Sequence, residues 1–321
     1  MPHTIVVTGA SRGIGRAAVE RLLRGAPDTH LVLVTRDASG RGLPAGDAVS
    51  HCTADLSSLA DVRRAAEQIA ARLDSGDLPP LRGFVGNAGI QYRNALTPGA
   101  EGLEATFTVN VLANHLFVRI LRDRFHAPAR IVLTTSDTHF GDLRHNLAMV
   151  PGPVWRQPDV LARPGAFPVP DSTGAGRTAY STSKLATIYL VHEYARRLPA
   201  GIDAIAYNPG FVPGTGLARH ADPLSRFAMR YLLPALTLTP LAISPRTAGR
   251  FLADIVLGSA PAPSGSYVDR RRVARSSAES YDPDRERDLW NTVESLTADH
   301  PDVDSTDAQR PHSMDGPPHI A

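Results

Sequence analysis

The sequence predicts an α/β fold: one doubly wound parallel sheet with helices on both faces. Two observations carry that prediction. Short, β-branched, almost wholly apolar runs alternate with longer helical patterns along most of the 321 residues, and such alternation favours a parallel sheet. The runs are apolar throughout rather than at every second residue, as strands covered on both faces must be. A third observation places chemistry on the scaffold: Tyr180 and Lys184 lie four residues apart within a helical pattern, so they share one helix face.

Taken in order, the first strand is expected at 4–8, reading Thr-Ile-Val-Val-Thr, and the others at 31–35, 49–53, 83–86, 130–134, 203–207 and 266–269. Helices are expected between them near 13–24, 58–73, 101–124, 177–198, 245–257 and 283–297. Three segments depart from this pattern. Residues 137–176 are rich in Pro and Gly without a clear period and read as a long loop inserted before the helix that carries Tyr180 and Lys184. Residues 211–245 are apolar with scattered prolines and read as a small helical lid. Residues 301–321 are polar and contain proline, and are expected to be disordered. The chain is thus expected to hold one domain over 1–300, followed by a tail.

Bulk properties narrow the class. A hydrophobic content of 42% and a charged content of 21% fit a soluble globular enzyme. A net charge of +2 is too small to argue for nucleic acid or an anionic membrane surface. The solitary Cys52 excludes an internal disulfide framework and metal-thiolate clusters, and no metal is expected. Strand-like sequence begins at Thr4, leaving no room for a signal peptide. The most apolar stretch, 227–243, is interrupted by Arg230, Pro234 and Pro240 and is too short to span a bilayer. A cytoplasmic protein without membrane insertion is expected.

The run Thr8-Gly9-Ala10-Ser11-Arg12-Gly13-Ile14-Gly15 joins the first strand to the first helix. Gly9, Gly13 and Gly15 there let a pyrophosphate approach the backbone, with a helix N-terminus facing the anion. The spacing G-x-x-x-G-x-G differs from the commoner G-x-G-x-x-G fingerprint. Where a preference for NAD would place Asp or Glu, at the end of the second strand, the sequence reads Thr35-Arg36. Arg36 and Arg12 together suit a 2′-phosphate, which arginine grips through its planar fork, so NADP(H) is the expected cofactor. Asp55-Leu56 follows the third strand, where it can cap the adenine edge or simply start the next helix. Asn87-Ala88-Gly89 follows the fourth, with small residues that let the backbone pass close to a ribose.

With these residues in place, the chain resembles the short-chain dehydrogenase/reductase family over about 3–270. The run from Thr8 to Gly15, Asp55, Asn87-Ala88-Gly89, Asn110, Ser136, Tyr180, Lys184 and Pro209-Gly210 all fall in the family's order. Within it, the chain looks most like the branch holding retinol dehydrogenases, protochlorophyllide reductases and bacterial secondary-metabolite ketoreductases. The pointers are Val34-Thr35-Arg36-Asp37, the segment 208–217, the insert before Tyr180 and the tail 264–296. The resemblance implies a Rossmann-type sheet and a tetrad of Asn110, Ser136, Tyr180 and Lys184. In the reductive direction, it implies Tyr180 as general acid toward a carbonyl oxygen that Ser136 also binds. Lys184 would lower the tyrosine pKa and hold the nicotinamide ribose, and Asn110, at an irregular point in its helix, would anchor a proton-conducting water. It also extends the cofactor contacts to Ser11, Ile14, Tyr180, Pro209, Gly210, Val212 and Thr215.

There are departures. Protochlorophyllide reductases carry a cysteine just after the lysine, where this chain reads Leu185-Ala186-Thr187. The family's Pro-Gly-x-x-x-Thr appears as Pro209-Gly210-Phe211-Val212-Pro213-Gly214-Thr215, with the threonine one place late, and a common glycine after the asparagine is replaced by Ala113. His139, close behind Ser136, reads as a loop hydrogen-bonding group rather than an acid. Trp155 and Phe167 in the insert, with Phe211, Phe227 and Tyr231 near the lid, are candidates for a large apolar wall. The expected activity is NADPH-dependent reduction of a carbonyl on a bulky hydrophobic small molecule, such as a polyketide-like metabolite. The alternatives are alcohol oxidation, double-bond reduction or epimerisation on the same scaffold, or a non-catalytic NADP-binding regulator. Relatives often pair through the helices near 101–124 and 177–198, so a homodimer or homotetramer is a further expectation.

Overall fold

Eight strands are seen in the computed structural model, which describes residues 1–37, 40, 42–146, 150–213 and 242–298. They are β1 (His3–Thr8), β2 (Thr29–Thr35), β3 (Val49–Thr53), β4 (Leu81–Gly86), β5 (Phe125–Thr134), β6 (Ile202–Asn208), β7 (Ser266–Asp269) and β8 (Arg272–Ala274). They form one sheet in the order β3-β2-β1-β4-β5-β6-β7-β8. All neighbours are parallel except β7 and β8, which form an antiparallel edge. The expected doubly wound sheet is present. Thr215, the greater part of the expected lid and the tail 301–321 lie outside the described residues.

Side chains on the central strands alternate between two cores, as the pleat requires. On β1, Ile5 and Val7 pack with α1 (Gly13–Gly25), whereas Val6 points to the opposite face, toward α2 (Leu59–Asp74). Both faces are covered, which is why the strands carry no polar alternation. The third expected helix is broken. Glu104 caps a short α3 (Ala105–Phe107), a π-helical turn runs over Thr108–Leu112, and α4 (Ala113–Leu121) follows. Residues 101–104 are not helical, because Glu104 is in extended backbone as the cap.

The insert is more ordered than a plain loop. It holds a 3-10 turn at Asp137–Phe140 and two short helices, α5 (Leu143–Asn146) and α6 (Pro158–Leu161). Backbone bonds from Gly165 to Ala95 (2.8 Å), Ala95 to Pro170 (2.8 Å) and Glu104 to Ala162 (2.8 Å) stitch its second half onto the loop before α3. Phe167 is buried in the core, and Trp155 packs edge-on against Tyr189 at 4.8 Å. These two aromatics therefore serve packing.

Helix α7 (Thr173–Arg197) starts four residues before the expected position, because Ser172 caps it by accepting from the Ala175 amide. Residues from Ala175 to Tyr194 are nearly all buried, around the whole circumference. A helix enclosed on every side shows no amphipathic stripe.

Helix α8 (Pro245–Val256) crosses α1 closely: a Cβ at Gly249 would lie 2.6 Å from the Ala17 Cβ. Helix α9 (Pro283–Leu296) lies across α4 and α7, with Trp290 edge-on to His115 (5.2 Å) and Tyr194 (5.4 Å). The guanidinium of Arg197 sits over the Trp290 ring at 4.6 Å. The helices expected to mediate pairing thus carry a helix of their own chain. Among the described residues, no helix is long and apolar enough to cross a membrane.

Candidate active site

The strand order reverses between β1 and β4, and the loops leaving their carboxyl ends open the crevice where open α/β sheets bind ligands. From β1 comes the glycine turn. Gly9 has φ +71°, and a Cβ there would lie 2.8 Å from the Ala88 backbone; at Gly15 it would lie 2.2 Å from the Gly9 carbonyl. Only glycine allows this approach. From β4 comes Asn87-Ala88-Gly89. Asn87 Nδ2 donates to the Gly9 carbonyl (3.2 Å), and the Ala88 amide donates to Thr8 Oγ1 (3.1 Å). The two predicted motifs are thus bonded into one floor.

The N-terminus of α1 fits an anion. Helices α2, α7, α8 and α9 each have a side-chain cap, from Ser58, Ser172, Ser244 and Asp282. At α1 the cap residue Arg12 makes no such bond, and the first turn holds no acidic residue. Its amide donors and helix dipole are left to a negative ligand, as a dinucleotide's pyrophosphate requires. Ser11, Arg12 and Arg36 are exposed, and Gly13 and Ile14 half-buried, at the same end of neighbouring β1 and β2. Asp55 organises its loop by accepting from the Ser57 amide (3.0 Å) and hydroxyl (2.8 Å), while Ser58 is the helix cap. Leu56 packs on the core from a partly buried position.

Asn110 sits within the π-helical turn, the expected irregularity, where an extra residue per turn re-aims a side chain. Its Nδ2 donates to the Ile90 carbonyl (3.0 Å) and to Ser183 Oγ (2.9 Å), and its Oδ1 accepts from the Ile90 amide (2.9 Å). Ser136 ends β5 and caps the 3-10 turn by accepting from the Thr138 amide at 3.3 Å. Tyr180 and Lys184 face the same region from α7, with the Lys184 Nζ 5.5 Å from the Tyr180 ring centre. That ammonium donates to the Thr134 carbonyl (2.8 Å), while Thr135 Oγ1 donates to the Lys184 carbonyl (2.9 Å). A Cβ at Gly89 would lie 3.4 Å from Nζ and 3.5 Å from Asn110 Oδ1, so the nucleotide floor and the tetrad adjoin.

The electrostatics correct one expectation. The lysine was expected to draw the phenol toward ionisation, whereas burial pushes Tyr180 well above the ordinary phenol range. The Ser136 hydroxyl beside it opposes that shift, and Asp137 reinforces it. Burial also lowers Lys184 to about 8. Tyr180 therefore holds its proton firmly.

His139 is fixed as a loop group: its Nδ1 donates to the Ser136 carbonyl (2.5 Å), and its Nε2 accepts from the Ser277 amide (3.2 Å). Burial lowers it to about 4, so it remains neutral. Gly210, at φ +72°, donates through its amide to Asn208 Oδ1 (3.0 Å), and Val212 is buried beside it. The Ile243 amide donates to the Phe211 carbonyl (3.0 Å), so residues 211 and 243 meet.

Two charged residues near the site were not singled out as functional from the sequence. Asp137 accepts from Ser136 Oγ at 3.3 Å. Arg270, at φ +56° in the β7–β8 turn, presses on Gly210, where a Cβ would lie 2.7 Å from its Nε. Adjacency to Ser136 was a signal available for Asp137. Arg270 had none, because the β7–β8 hairpin itself was not anticipated.

The comparisons agree with this geometry. The family model described as short chain dehydrogenase matches residues 3–146. A putative daunorubicin C-13 ketoreductase from Streptomyces sp. (strain C5) is 30% identical, with 92% of this chain and 93% of that protein covered. Protochlorophyllide reductase A of Oryza sativa subsp. japonica is also 30% identical, over 91% of this chain and 80% of its own length. Among solved structures, an NADPH-bound carbonyl reductase from chicken fatty liver shares the fold with a TM-score of 0.55 at 18% identity, covering 85% of this chain and 98% of that one. A 3-ketoacyl-(acyl-carrier-protein) reductase from Brucella melitensis, complexed with NADH, gives a TM-score of 0.56 at 24% identity, covering 84% and 96%. The bonded glycine floor, the ordered motifs and these relatives lead to one assignment: the chain belongs to the short-chain dehydrogenase/reductase family, oxidoreductases that use a nicotinamide cofactor.

Proposed function

We propose that the protein reduces the carbonyl of a bulky hydrophobic small molecule with NADPH, in the cytoplasm, from one catalytic domain over 1–300. The observation that carries this reading is the convergence of Ser136, Tyr180 and Lys184 at the joint between β5 and α7, beside the Gly9–Asn87 floor. The uncapped, acid-free start of α1 would hold the pyrophosphate. Arg12 and Arg36, exposed at the ends of neighbouring strands, would grip the 2′-phosphate. The bound cofactor supplies hydride to the carbonyl carbon.

Every other role falls to the chain. Tyr180 Oη gives its proton to the carbonyl oxygen, and burial suits it to that task by keeping the proton in place until charge develops. Ser136 Oγ donates to the same oxygen and stabilises the growing negative charge. Lys184 Nζ, held by Thr134, would hold the ribose hydroxyls and provides positive charge beside the phenol that gives up its proton. Asn110 locks α7 to the loop at Ile90 and so fixes the depth of Tyr180.

The test is NADPH oxidation across a panel of ketones and aldehydes by wild type and Tyr180→Phe. Turnover undiminished in the variant would remove the proposed acid. Product analysis with deuterated NADPH separates carbonyl reduction from double-bond reduction and from epimerisation.

A further inference from the structure

Asp137 occupies a position that the proposed reaction does not use. Its carboxyl accepts from Ser136 Oγ at 3.3 Å, and its charge is felt at Tyr180. The same Ser136 proton is the one required at a substrate carbonyl oxygen. A hydroxyl has a single proton to donate, so the two acceptors compete for it.

The surroundings of Asp137 are unusually charged for an active-site wall. From β7 and its turn come Asp269, which opposes its ionisation, and Arg270, which favours it; His145 on α5 also favours it. Tyr267 on β7 and Tyr180 on α7 both sense its charge. Asp269 is held by Asn208 Nδ2 at 3.1 Å, so the opposing carboxylate is fixed in place. Lys184 on α7 lies beyond Tyr180, and His139 stays neutral. Burial, chiefly, and then Asp269 raise Asp137 to about 6.

We propose that Asp137 is a positioning residue that switches Ser136. As a carboxylate, it draws the Ser136 proton away from the substrate and places negative charge beside the oxygen of Tyr180. As a neutral carboxyl, it is a weaker acceptor and can itself donate to the Ser136 oxygen, which leaves the Ser136 proton for the carbonyl. The inference rests on the carbonyl-reduction reading, and it gives that reaction an acidic preference set by a residue that never touches the reacting atoms.

The experiment measures kcat and KM for carbonyl reduction from acidic to mildly alkaline pH in wild type, Asp137→Asn and Asp137→Glu. Alongside it, the protonation of Asp137 is followed by infrared difference spectroscopy, as the carboxyl C=O band present in wild type and absent from Asp137→Asn. In wild type, kcat should fall by about tenfold as Asp137 ionises, with KM little changed. Asp137→Asn should stay on the faster plateau with no break in that range, Asp137→Glu should keep the break, and the carboxyl band should vanish over the same pH range as kcat falls. Asp137→Ser serves the same purpose should asparagine disturb the turn at Thr138.

An unchanged kcat profile in Asp137→Asn, or a carboxyl band that does not change over the pH range of the kcat break, would overturn the proposal. If wild type reduces no carbonyl at all, the reaction reading fails separately, and a carboxyl band that shows no protonation of Asp137 at mildly acidic pH still overturns the proposal.

Discussion

Asn110 Nδ2 donates to Ser183 Oγ across 2.9 Å, and Ser183 Oγ donates in turn to the Tyr180 carbonyl at 2.7 Å. A π-helical turn on one side of the cleft is thereby tied to the helix turn that carries Tyr180 and Lys184. Asn110→Ala should remove this tie and leave the buried Ile90 amide and carbonyl without their partners. The expected loss is roughly 3 kcal/mol of stability, with a larger relative loss in kcat than in NADPH affinity. Chemical denaturation combined with cofactor titration would measure both.

Removing the phenol hydroxyl isolates the acid. Tyr180→Phe should lower kcat for carbonyl reduction by about a hundredfold to ten-thousandfold, the usual worth of a positioned general acid. NADPH binding, followed by fluorescence, should remain as in wild type. A parallel loss of binding would make Tyr180 a cofactor contact first and an acid second.

Arg12 and Arg36 are predicted to discriminate between cofactors by charge. Alanine at either position should weaken NADPH by about tenfold to a hundredfold, the worth of one charge-assisted hydrogen bond, and leave NADH nearly unaffected. Dissociation constants for both cofactors, measured at two salt concentrations, would check this. The NADPH deficit should shrink as salt screens the phosphate.

Glu104 gives a prediction about stability. Its Oε2 accepts from the Phe107 amide at 2.6 Å, yet burial raises its carboxyl from 4.5 to about 7. Below pH 4.5 both folded and unfolded chains hold the proton, and the group has no effect on stability. Between 4.5 and about 7 the unfolded chain releases its proton first, so stability falls as pH rises and stays lower above that range. The full difference is on the order of 3 kcal/mol. Glu104→Gln keeps an amide-accepting oxygen and should abolish this fall. Denaturation midpoints at mildly acidic and mildly alkaline pH would show a gain over wild type only at the latter.

How much of this was readable depended on whether a feature lay in local pattern or in packing. β1, with its run of apolar residues, and the glycine turn declared themselves, because steric demands at Gly9 and Gly15 leave no other residue type. Tyr180 and Lys184 were visible as a spacing on a helix. β8 was not: Arg272, Val273 and Ala274 form a short exposed edge strand with no apolar run to mark it. The anchor for Lys184 is the carbonyl of Thr134, a backbone group with no side-chain signature. Spacing on a helix reveals a neighbouring ammonium but not the degree of enclosure, and it is enclosure that raises Tyr180. The aromatics of the insert drew attention as a substrate wall, yet Phe167 is buried in the core and Trp155 rests on Tyr189.

Lys184 and the Thr134–Thr135 pair clasp each other twice, ammonium to carbonyl and hydroxyl to carbonyl. That double clasp sets the relation of Ser136 to Tyr180 without borrowing anything from the 158–170 stretch, which is sewn to a different loop. The Lys184 clasp and the stitching of the insert's second half are thus carried by separate sets of bonds. Changes within 158–170 therefore have no direct bond through which to loosen the grip of the Thr134–Thr135 pair on Lys184.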